Sequence, residues 1–556
     1  MDLSEGATRN SQAHNELVEE HVTVLSGSVV VGPQEAPLCL PAGESRRFRA
    51  DSPHFYRAGQ DPARLLVTIV YPLVHDDAAT PFDLHFKWPE HRDDWEGIRR
   101  VVERVCIEVQ NGVELYRIIF GECPLSRPEA RARLDSELLA NRKSEQPLRF
   151  FILDNASPSL VVFARPSRFA RLRDPAPSQP AIAAEAWRLA DMARRPQIID
   201  LEEIERLRIV ARSSSLLNAA LAAEALTAFG LPTIPTGVAH KTQTTIGEPE
   251  RGDDIVLFED RIDVDAYEAY ELVHPAYARQ SLLAARALPT RKPYQPLNVI
   301  DAGSGPGLPL QMLLEARSDL MITAVDPSET AFRHLSQRFA GNARVTPVMA
   351  GIDSYDPENM LFDAALSIGA SHHLDTSSFF RGVGRCLRPG ATFVLSDEMI
   401  SPFASASERR SNLIAHHLQY IVDTLISVPD ESLDPADRIL ADRMRQEAPA
   451  CLLFARAGFG DMATSRLRGF LQEIASLNLP EPASHPFMAF YRFHVLELQA
   501  LVAGLDYEVE QKTHARRLLE LADHAGFECI DHQRIFATHG ESEWDGGTHF
   551  FVLRRL

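Results

Sequence analysis

Cysteine is scarce in this chain of 556 residues: six are scattered along it, and no two form a Cys-x-x-Cys pair. That spacing argues against a disulfide framework and a zinc knuckle, and it suits a reducing cytoplasm. Basic charge is also short, with 57 Lys and Arg against 77 Asp and Glu, a formal net charge of −20. Such a surface disfavours polyphosphate unless a local basic patch offsets it. The arginine-rich stretches Arg168–Arg173 and Arg206–Arg212 are short and read as solvated helix faces. No uncharged apolar run approaches the roughly 20 residues that a membrane helix requires. Asp2, Glu5 and Asn10 stand where a signal peptide needs apolar residues. A cytoplasmic protein with no nucleic-acid partner and no membrane partner is expected.

What is present is an ordinary folded composition, 45% apolar and 24% charged. The length suggests about three or four domains. The most informative stretch begins with the apolar run Leu297-Asn-Val-Ile300, which reads as a buried strand. It ends at Asp301, opens into Gly303, Gly305 and Gly307, and continues as a helix from Leu308 to Ala316. Glycines between a strand and a helix let a ligand touch backbone, with the helix's first N–H groups aimed at it. A second strand, Met321–Val325, closes at Asp326, 25 residues beyond Asp301. That is near the spacing of about 20 at which a carboxylate takes a ribose diol. Strands at Arg344–Met349, Ala364–Ile368 and Thr392–Leu395 follow, with helices between them. This alternation predicts a parallel, doubly wound α/β sheet that binds at the strands' carboxyl ends.

Taken jointly with Ala324-Val-Asp-Pro-Ser328, Phe362-Asp-Ala-Ala-Leu-Ser367 and Leu387-Arg-Pro-Gly390, the glycine turn resembles the class I S-adenosylmethionine-dependent methyltransferases. Ala525-Gly-Phe-Glu-Cys-Ile530 and His549-Phe-Phe-Val-Leu553 resemble that family's last two strands, the final one antiparallel. The likeness covers Tyr270 to Phe403 and Thr513 to Leu556. It implies a Rossmann-like sheet and S-adenosylmethionine as cofactor. On that likeness the glycine turn takes the cofactor's carboxylate, Asp301 its ammonium and Asp326 its ribose hydroxyls. Asp353 then stands where adenine's amine is bound, with Ile352 on the ring, and Ser367 joins the cofactor contacts. The plainer reading of Asp353 is a loop-solvating acid.

Near the start, His21–Leu25, Ser28–Val31, Ser45–Arg49 and Leu65–Tyr71 read as short strands separated by Gly27, Pro33, Pro41-Ala-Gly43 and Asp51-Ser-Pro53. Glu20-His-Val-Thr-Val-Leu-Ser-Gly27 and Phe48-Arg-Ala-Asp-Ser-Pro-His54 resemble a cupin, most closely the sensor cupin of some helix-turn-helix regulators. His14, Glu16, Glu20 and His54 are suitable ligands for a divalent ion. Glu16 and Ala58, however, replace the expected histidine and asparagine, so a metal-free barrel is preferred and no metal is assigned.

The predicted organisation is a cupin-like β domain over 1–75 and a small α/β module over 76–173, including a helix at Trp95–Val109. A proline-rich linker, Pro175–Pro180, leads to a helical linker and lid over 181–296. That region includes a loop at Gly230–Asp254 and, as lid candidates, Tyr270 and Tyr277. The methyltransferase core is 297–400 with 514–556, and a helical substrate-cap insertion fills 401–513. Within the insertion, helices are expected at Glu408–Leu425, Pro435–Arg456, Phe470–Leu477 and Phe487–Leu501.

Methyl transfer needs a base only when the acceptor carries its proton at neutral pH. Candidates stand after the fourth and fifth core strands, at His372-His373 and Asp397-Glu398. Helix Asn412–Leu425 has an apolar stripe at Ile414, Leu418, Ile421 and Leu425, with Asn412, His416, Gln419 and Asp423 opposite and His417 and Tyr420 flanking. That polar stripe faces either water or a pocket. His373, His416 and Glu398 are the predicted catalytic residues; their convergence on a metal is the weaker alternative. The resemblance implies methyl transfer, and the acidic chain, the lack of a nucleic-acid module and the helical cover over the crevice point to a small-molecule acceptor, a specialised metabolite or amino acid derivative. Alternatives are other chemistry on the same cofactor, or a cupin-headed sensor or assembly protein. The cupin-like segment is the expected contact of any homo-oligomer.

Overall fold

The computed structural model describes residues 1–13, 19–50, 52–70, 83–87, 116–121, 149–156, 159–166, 184–193, 198–229, 276–291, 295–358, 360–425, 433–479, 485–503, 511–540 and 542–556, with a few single residues between. His14, Glu16, the Trp95–Val109 helix, Pro175–Pro180 and Tyr270 lie outside the described residues, as does nearly all of Gly230–Asp254. The chain divides into two compact units, 1–146 with 151–166, and 167–556 with 147–150.

Eight strands open the first unit: β1 (Asp2–Leu3), β2 (Thr8–Ser11), β3 (Glu19–Ser26), β4 (Ser28–Pro33), β5 (Leu38–Pro41), β6 (Ser45–Arg49), β7 (His54–Ala58) and β8 (Ala63–Val70). They form two antiparallel four-stranded sheets, ordered β1-β8-β3-β6 and β2-β7-β4-β5. Side chains alternate across a strand, so Val22 and Val24 of β3 and Val29 and Val31 of β4 point into one buried core. β5 and β7 were not among the expected strands, because neither carries a long apolar run. Later in this unit β9 (Asp83–Lys87), β10 (Tyr116–Gly121), β11 (Arg149–Ala156) and β12 (Ser159–Pro166) lie side by side in the order β11, β12, β10, β9. β10 is antiparallel to β12 and parallel to β9.

The second unit opens with α1 (Ala184–Met192), β13 (Ile198–Asp200), α2 (Leu201–Val210), α3 (Leu216–Ala228) and α4 (Tyr277–Ala287). α3 is apolar almost all round and is buried over most of its length. Arg279 of α4 donates to Glu224 of α3, an ion pair taken wholly out of water. Seven strands then build one sheet: β14 (Leu297–Ala302), β15 (Leu320–Asp326), β16 (Val345–Met349), β17 (Phe362–Ile368), β18 (Leu387–Met399), β19 (Phe527–Ala537) and β20 (Gly547–Arg555). Their order is β16-β15-β14-β17-β18-β20-β19. β14 to β18 pair parallel, and β20 runs antiparallel between β18 and β19. β18 begins at Leu387, five residues before its expected start, and continues through Glu398 to Met399.

Between strands the chain forms α5 (Leu308–Ala316), α6 (Glu329–Arg338) and α7 (Thr376–Cys386). The insertion supplies α8 (Ala406–Leu425), α9 (Pro435–Arg456), α10 (Gly460–Ala475) and α11 (Pro486–Ala503), and α12 (Ala515–His524) returns the chain to the sheet. α10 begins ten residues before its expected start. Ala463, Thr464 and Leu467 are buried at the same helical spacing as Phe470, Leu471 and Ile474, so the packed stripe is one turn after another from Gly460. Among the described residues, no helix is long and apolar enough to cross a membrane.

Candidate active site

The strand order reverses at β14, whose neighbours are β15 on one side and β17 on the other. A crevice outside the carboxyl ends of an open parallel sheet forms at such a reversal. Here β14 ends and the chain turns through Gly303, Gly305 and Gly307, with φ of 73°, 52° and 89°. Those left-handed values favour glycine. A Cβ on Gly303 would overlap the Cβ of Ala370, so the turn lies directly against the segment leaving β17. A Cβ on Gly305 would meet nothing within 4 Å. Gly307 precedes α5, whose first turn aims its N–H groups back toward the turn.

Two acids border this turn. Asp326, 2% exposed, accepts the Gly305 N–H on Oδ2 at 2.8 Å and the Ser328 N–H on Oδ1 at 3.0 Å. Asp301 is buried, and burial pushes its carboxyl up to about 7, with the neighbouring Asp326 adding to the shift against a hydrogen bond from Ser304. Burial, with a like charge nearby, raises the energy of an ionised carboxyl, which a cation placed beside it would lower. Ser367 is fully buried and donates to the Ala302 carbonyl at 2.7 Å, bracing β17 against β14. Beyond β16, Ile352 is buried within the apolar core. Its carbonyl and that of Asp353 accept from Arg385, while the Asp353 residue itself is exposed.

A second polar group lies at the end of β18. Glu398 Oε1 pairs with His274 Nε2 at 3.1 Å, and Oε2 with His416 Nε2 at 3.0 Å and Lys512 Nζ at 3.3 Å. Burial alone would raise this carboxyl, but Lys512, His416 and His274 together hold it well below the usual range. Glu398 is therefore an anion that only accepts hydrogen bonds. His416 Nδ1 meets Thr538 Oγ1 at 2.8 Å, so both of its ring nitrogens are engaged. His274 Nδ1 accepts the Ala276 N–H at 3.3 Å, and burial lowers its pKa despite Glu398. Burial and the Glu398 charge both push the Tyr420 hydroxyl well above its normal range.

Of the predicted catalytic residues, Glu398 and His416 are brought within hydrogen-bond distance, and the ring of His373 stands 4.0 Å from that of His372. Asn412, His416, His417, Gln419 and Tyr420 are all buried, so the polar stripe of α8 does not face water. The Asp423 side chain lies outside the described residues. Tyr277 begins α4, and its hydroxyl would stand 2.8 Å from a Cβ on Gly369, so α4 covers the end of β17. His274 and Lys512 escaped the sequence reading because each is a single polar residue that belongs to no motif. In the first unit, Glu20 accepts from Tyr56 and pairs with His54 Nε2 at 3.1 Å, while His54 Nδ1 donates to the Ser52 carbonyl at 2.9 Å. Among the described residues, no group of three or more His, Cys, Asp and Glu side chains is arranged to hold a metal ion.

Residues 300–393, from β14 into β18, match the family model described as a methyltransferase domain. The segment from β14 into β18 is therefore similar to a methyltransferase domain. No curated protein matches the chain. Among solved structures it is similar to an HTH_3 family transcriptional regulator from Vibrio cholerae, at 32% identity over 13% of this chain and 40% of that one, with a TM-score of 0.13. It is also similar to a cupin domain of an XRE family transcriptional regulator from Enterobacter cloacae, at 33% identity over 13% of this chain and 76% of that one, with a TM-score of 0.12. A third is the 1,6-didemethyltoxoflavin-N1-methyltransferase of Burkholderia thailandensis, bound to 1,6-didemethyltoxoflavin and S-adenosylhomocysteine. It is 17% identical over 53% of this chain and 81% of that one, with a TM-score of 0.25.

Proposed function

We propose that this protein transfers a methyl group from S-adenosylmethionine to a small molecule, a specialised metabolite or an amino acid derivative. The observation that carries the reading is the open Gly305 turn held by Asp326 at the switch point, after a β14 that carries the buried Asp301, in a segment similar to a methyltransferase domain. A ligand with a carboxylate, an ammonium and a ribose diol fits these groups. The α5 N-terminus takes the first, Asp301 the second, and Asp326 the third, on the carboxylate lone pairs that the Gly305 and Ser328 amides leave. The Ile352 to Asp353 turn would receive the adenine. When bound, S-adenosylmethionine supplies an electrophilic methyl on a sulfonium sulfur.

The rest of the chain's task is to hold an acceptor in line with that methyl and keep water away. α8 meets the end of β18 through His416 and the start of β20 through Tyr420, and α11 packs on α8, so this polar wall is buried, which suits a small acceptor better than a polymer. Glu398 with His416 fixes that wall, and His373 follows the end of β17. The acidic net charge further disfavours RNA. We read the enzyme as cytoplasmic, with any self-association made through the N-terminal cupin-like segment.

The test is titration calorimetry with S-adenosylmethionine, followed by incubation of the protein and the labelled donor with fractionated metabolite extracts. Saturable binding and S-adenosylhomocysteine released only with certain fractions are expected. Binding without any release would leave a protein that uses the cofactor for other chemistry. No binding would remove the reading.

A further inference from the structure

The chain leaves the insertion and returns to the sheet through residues 511–513, just before α12. The Gln511 N–H donates to the His372 carbonyl at 2.7 Å, and the Thr513 carbonyl accepts the Ile400 N–H at 3.0 Å. His372 lies in the 3₁₀ turn Ser371–His373 that follows β17, and Ile400 is the first residue past β18. Two residue steps reach at most about 7 Å, and neighbouring strands lie about 4.8 Å apart, so this strap bridges both strand ends. Between its two backbone contacts, the buried Lys512 reaches Glu398 across 3.3 Å.

The 3₁₀ turn touched by the strap is continuous with one wall of the glycine turn. Ala370, whose Cβ a methyl on Gly303 would overlap, accepts the His373 N–H at 3.2 Å. Asp397 grips the same 3₁₀ turn from β18. Its Oδ1 meets His372 Nδ1 at 2.6 Å, while Oδ2 accepts the Ser371 hydroxyl and, at 3.2 Å, the His372 N–H. Successive residues of a strand point to opposite faces. Asp397 therefore serves the 3₁₀ turn, and Glu398 serves the strap, α8 and the segment before α4. Asp397, His372, Glu398 and Lys512 are all buried, where a lost partner is not cheaply replaced by water.

We infer that the strap couples the helical insertion to the cofactor turn, which makes Lys512 a positioning residue for S-adenosylmethionine although it stands outside the glycine turn. This rests on the reading of the domain as an S-adenosylmethionine-dependent methyltransferase. The strap fixes the 3₁₀ turn, and the 3₁₀ turn fixes Gly303 in the shape that presents the first N–H groups of α5. Glu398 makes docking of the strap depend on α8 of the insertion. Coupling of this kind is reciprocal: a ligand of the insertion that favours the docked strap tightens the cofactor, and the cofactor tightens that ligand by the same factor.

The experiment uses the full chain and sinefungin, an analogue whose amine stands in place of the methyl. The parent is compared with a double variant, Lys512→Met with Glu398→Gln, by urea unfolding, calorimetric titration and amide hydrogen exchange. The double variant removes both charges together, so it leaves no buried ion unpaired and should unfold near the parent's midpoint. Its affinity for sinefungin should nonetheless fall by about tenfold. Exchange should quicken at 302–308 and 370–374 and stay unchanged in α6. In the parent, saturating sinefungin should slow exchange of the Gln511 and Ile400 amides, a readout that needs no variant to fold. Parent-like affinity in the double variant, quickened exchange spread evenly through the domain, or parent strap amides that ignore sinefungin would each overturn the inference. Failure of the parent to bind sinefungin would instead remove the proposed function on which it stands.

Discussion

The backbone N–H of Gly305 reaches Asp326 Oδ2 across 2.8 Å, joining the turn after β14 to the last residue of β15. Asp326 is therefore both a brace for the glycine turn and the acid assigned to the ribose. Those two duties can be separated by measurement.

Asp326→Ala should abolish S-adenosylmethionine binding in a calorimetric titration. It also leaves the Gly305 and Ser328 amides without their acceptor, which should lower unfolding stability by about 1–3 kcal/mol. Asp326→Asn retains one acceptor oxygen and should recover most of that stability but little of the binding. An Asp326→Ala protein that binds like the parent removes the ribose assignment.

Gly303→Ala and Gly305→Ala should behave differently although both sit at positive φ. At Gly303 the new methyl collides with Ala370, and strain with overpacking should destabilise the fold by about 2–4 kcal/mol. At Gly305 the space is open, so the cost is the left-handed conformation alone, about 1–2 kcal/mol. Urea unfolding should separate them, with Gly305→Ala the better folded yet the weaker cofactor binder. Equal midpoints would contradict the close packing of the turn.

Asp301 predicts a proton linkage. Its carboxyl is raised to about 7, so at pH 6 the ligand-free protein holds a proton there that an ammonium-bearing ligand displaces. Affinity should therefore fall by up to about tenfold per unit as pH drops below 7, and Asp301→Asn should flatten that slope. Stability carries the opposite sign: because the folded value lies above the unfolded one, stability declines as pH climbs from about 4 toward 7, the range over which affinity rises. Calorimetry in buffers of different ionisation enthalpy counts the released proton. No release at pH 6 argues against the ammonium contact.

Glu398 shows the opposite sign. Its carboxyl is held well below normal, so its contribution is present above the unfolded value of about 4.3 and is lost as acid protonates the folded state. Glu398→Ala leaves the Lys512 ammonium buried without its counter-charge and should cost about 3–5 kcal/mol. Lys512→Met in the same background should restore part of the loss. A double variant no more stable than Glu398→Ala would mean that the ion pair is not the source of the effect.

Much of this architecture was legible along the chain because it is local. The period of apolar residues marked β14, α5 and β15, and the glycines at 303, 305 and 307 announced a turn that side chains would obstruct. The residues proposed for the cofactor could be picked out for the same reason, since Asp301 and Asp326 stand at or next to the ends of β14 and β15, which a parallel sheet brings to one edge. β5, β7 and the first half of α10 were harder to see. Short strands and half-polar helix turns are settled by what packs on them.

The polar groups around Glu398 and Asp397 belong to a different kind of information. His274, His416 and Lys512 converge on Glu398 across 124, 18 and 114 positions of chain, and no periodicity encodes such meetings. Nor can composition say which of two adjacent histidines is aimed by a carboxylate. That follows from the alternation of β18, which turns Asp397 toward His372 and Glu398 toward α8. Apolar spacing and turn residues, acting over a few neighbours, were enough to specify the sheet and its glycine turn. Partnership among buried charges waits on the packed chain, because burial sets which charges must pair and only folding brings distant ones within reach.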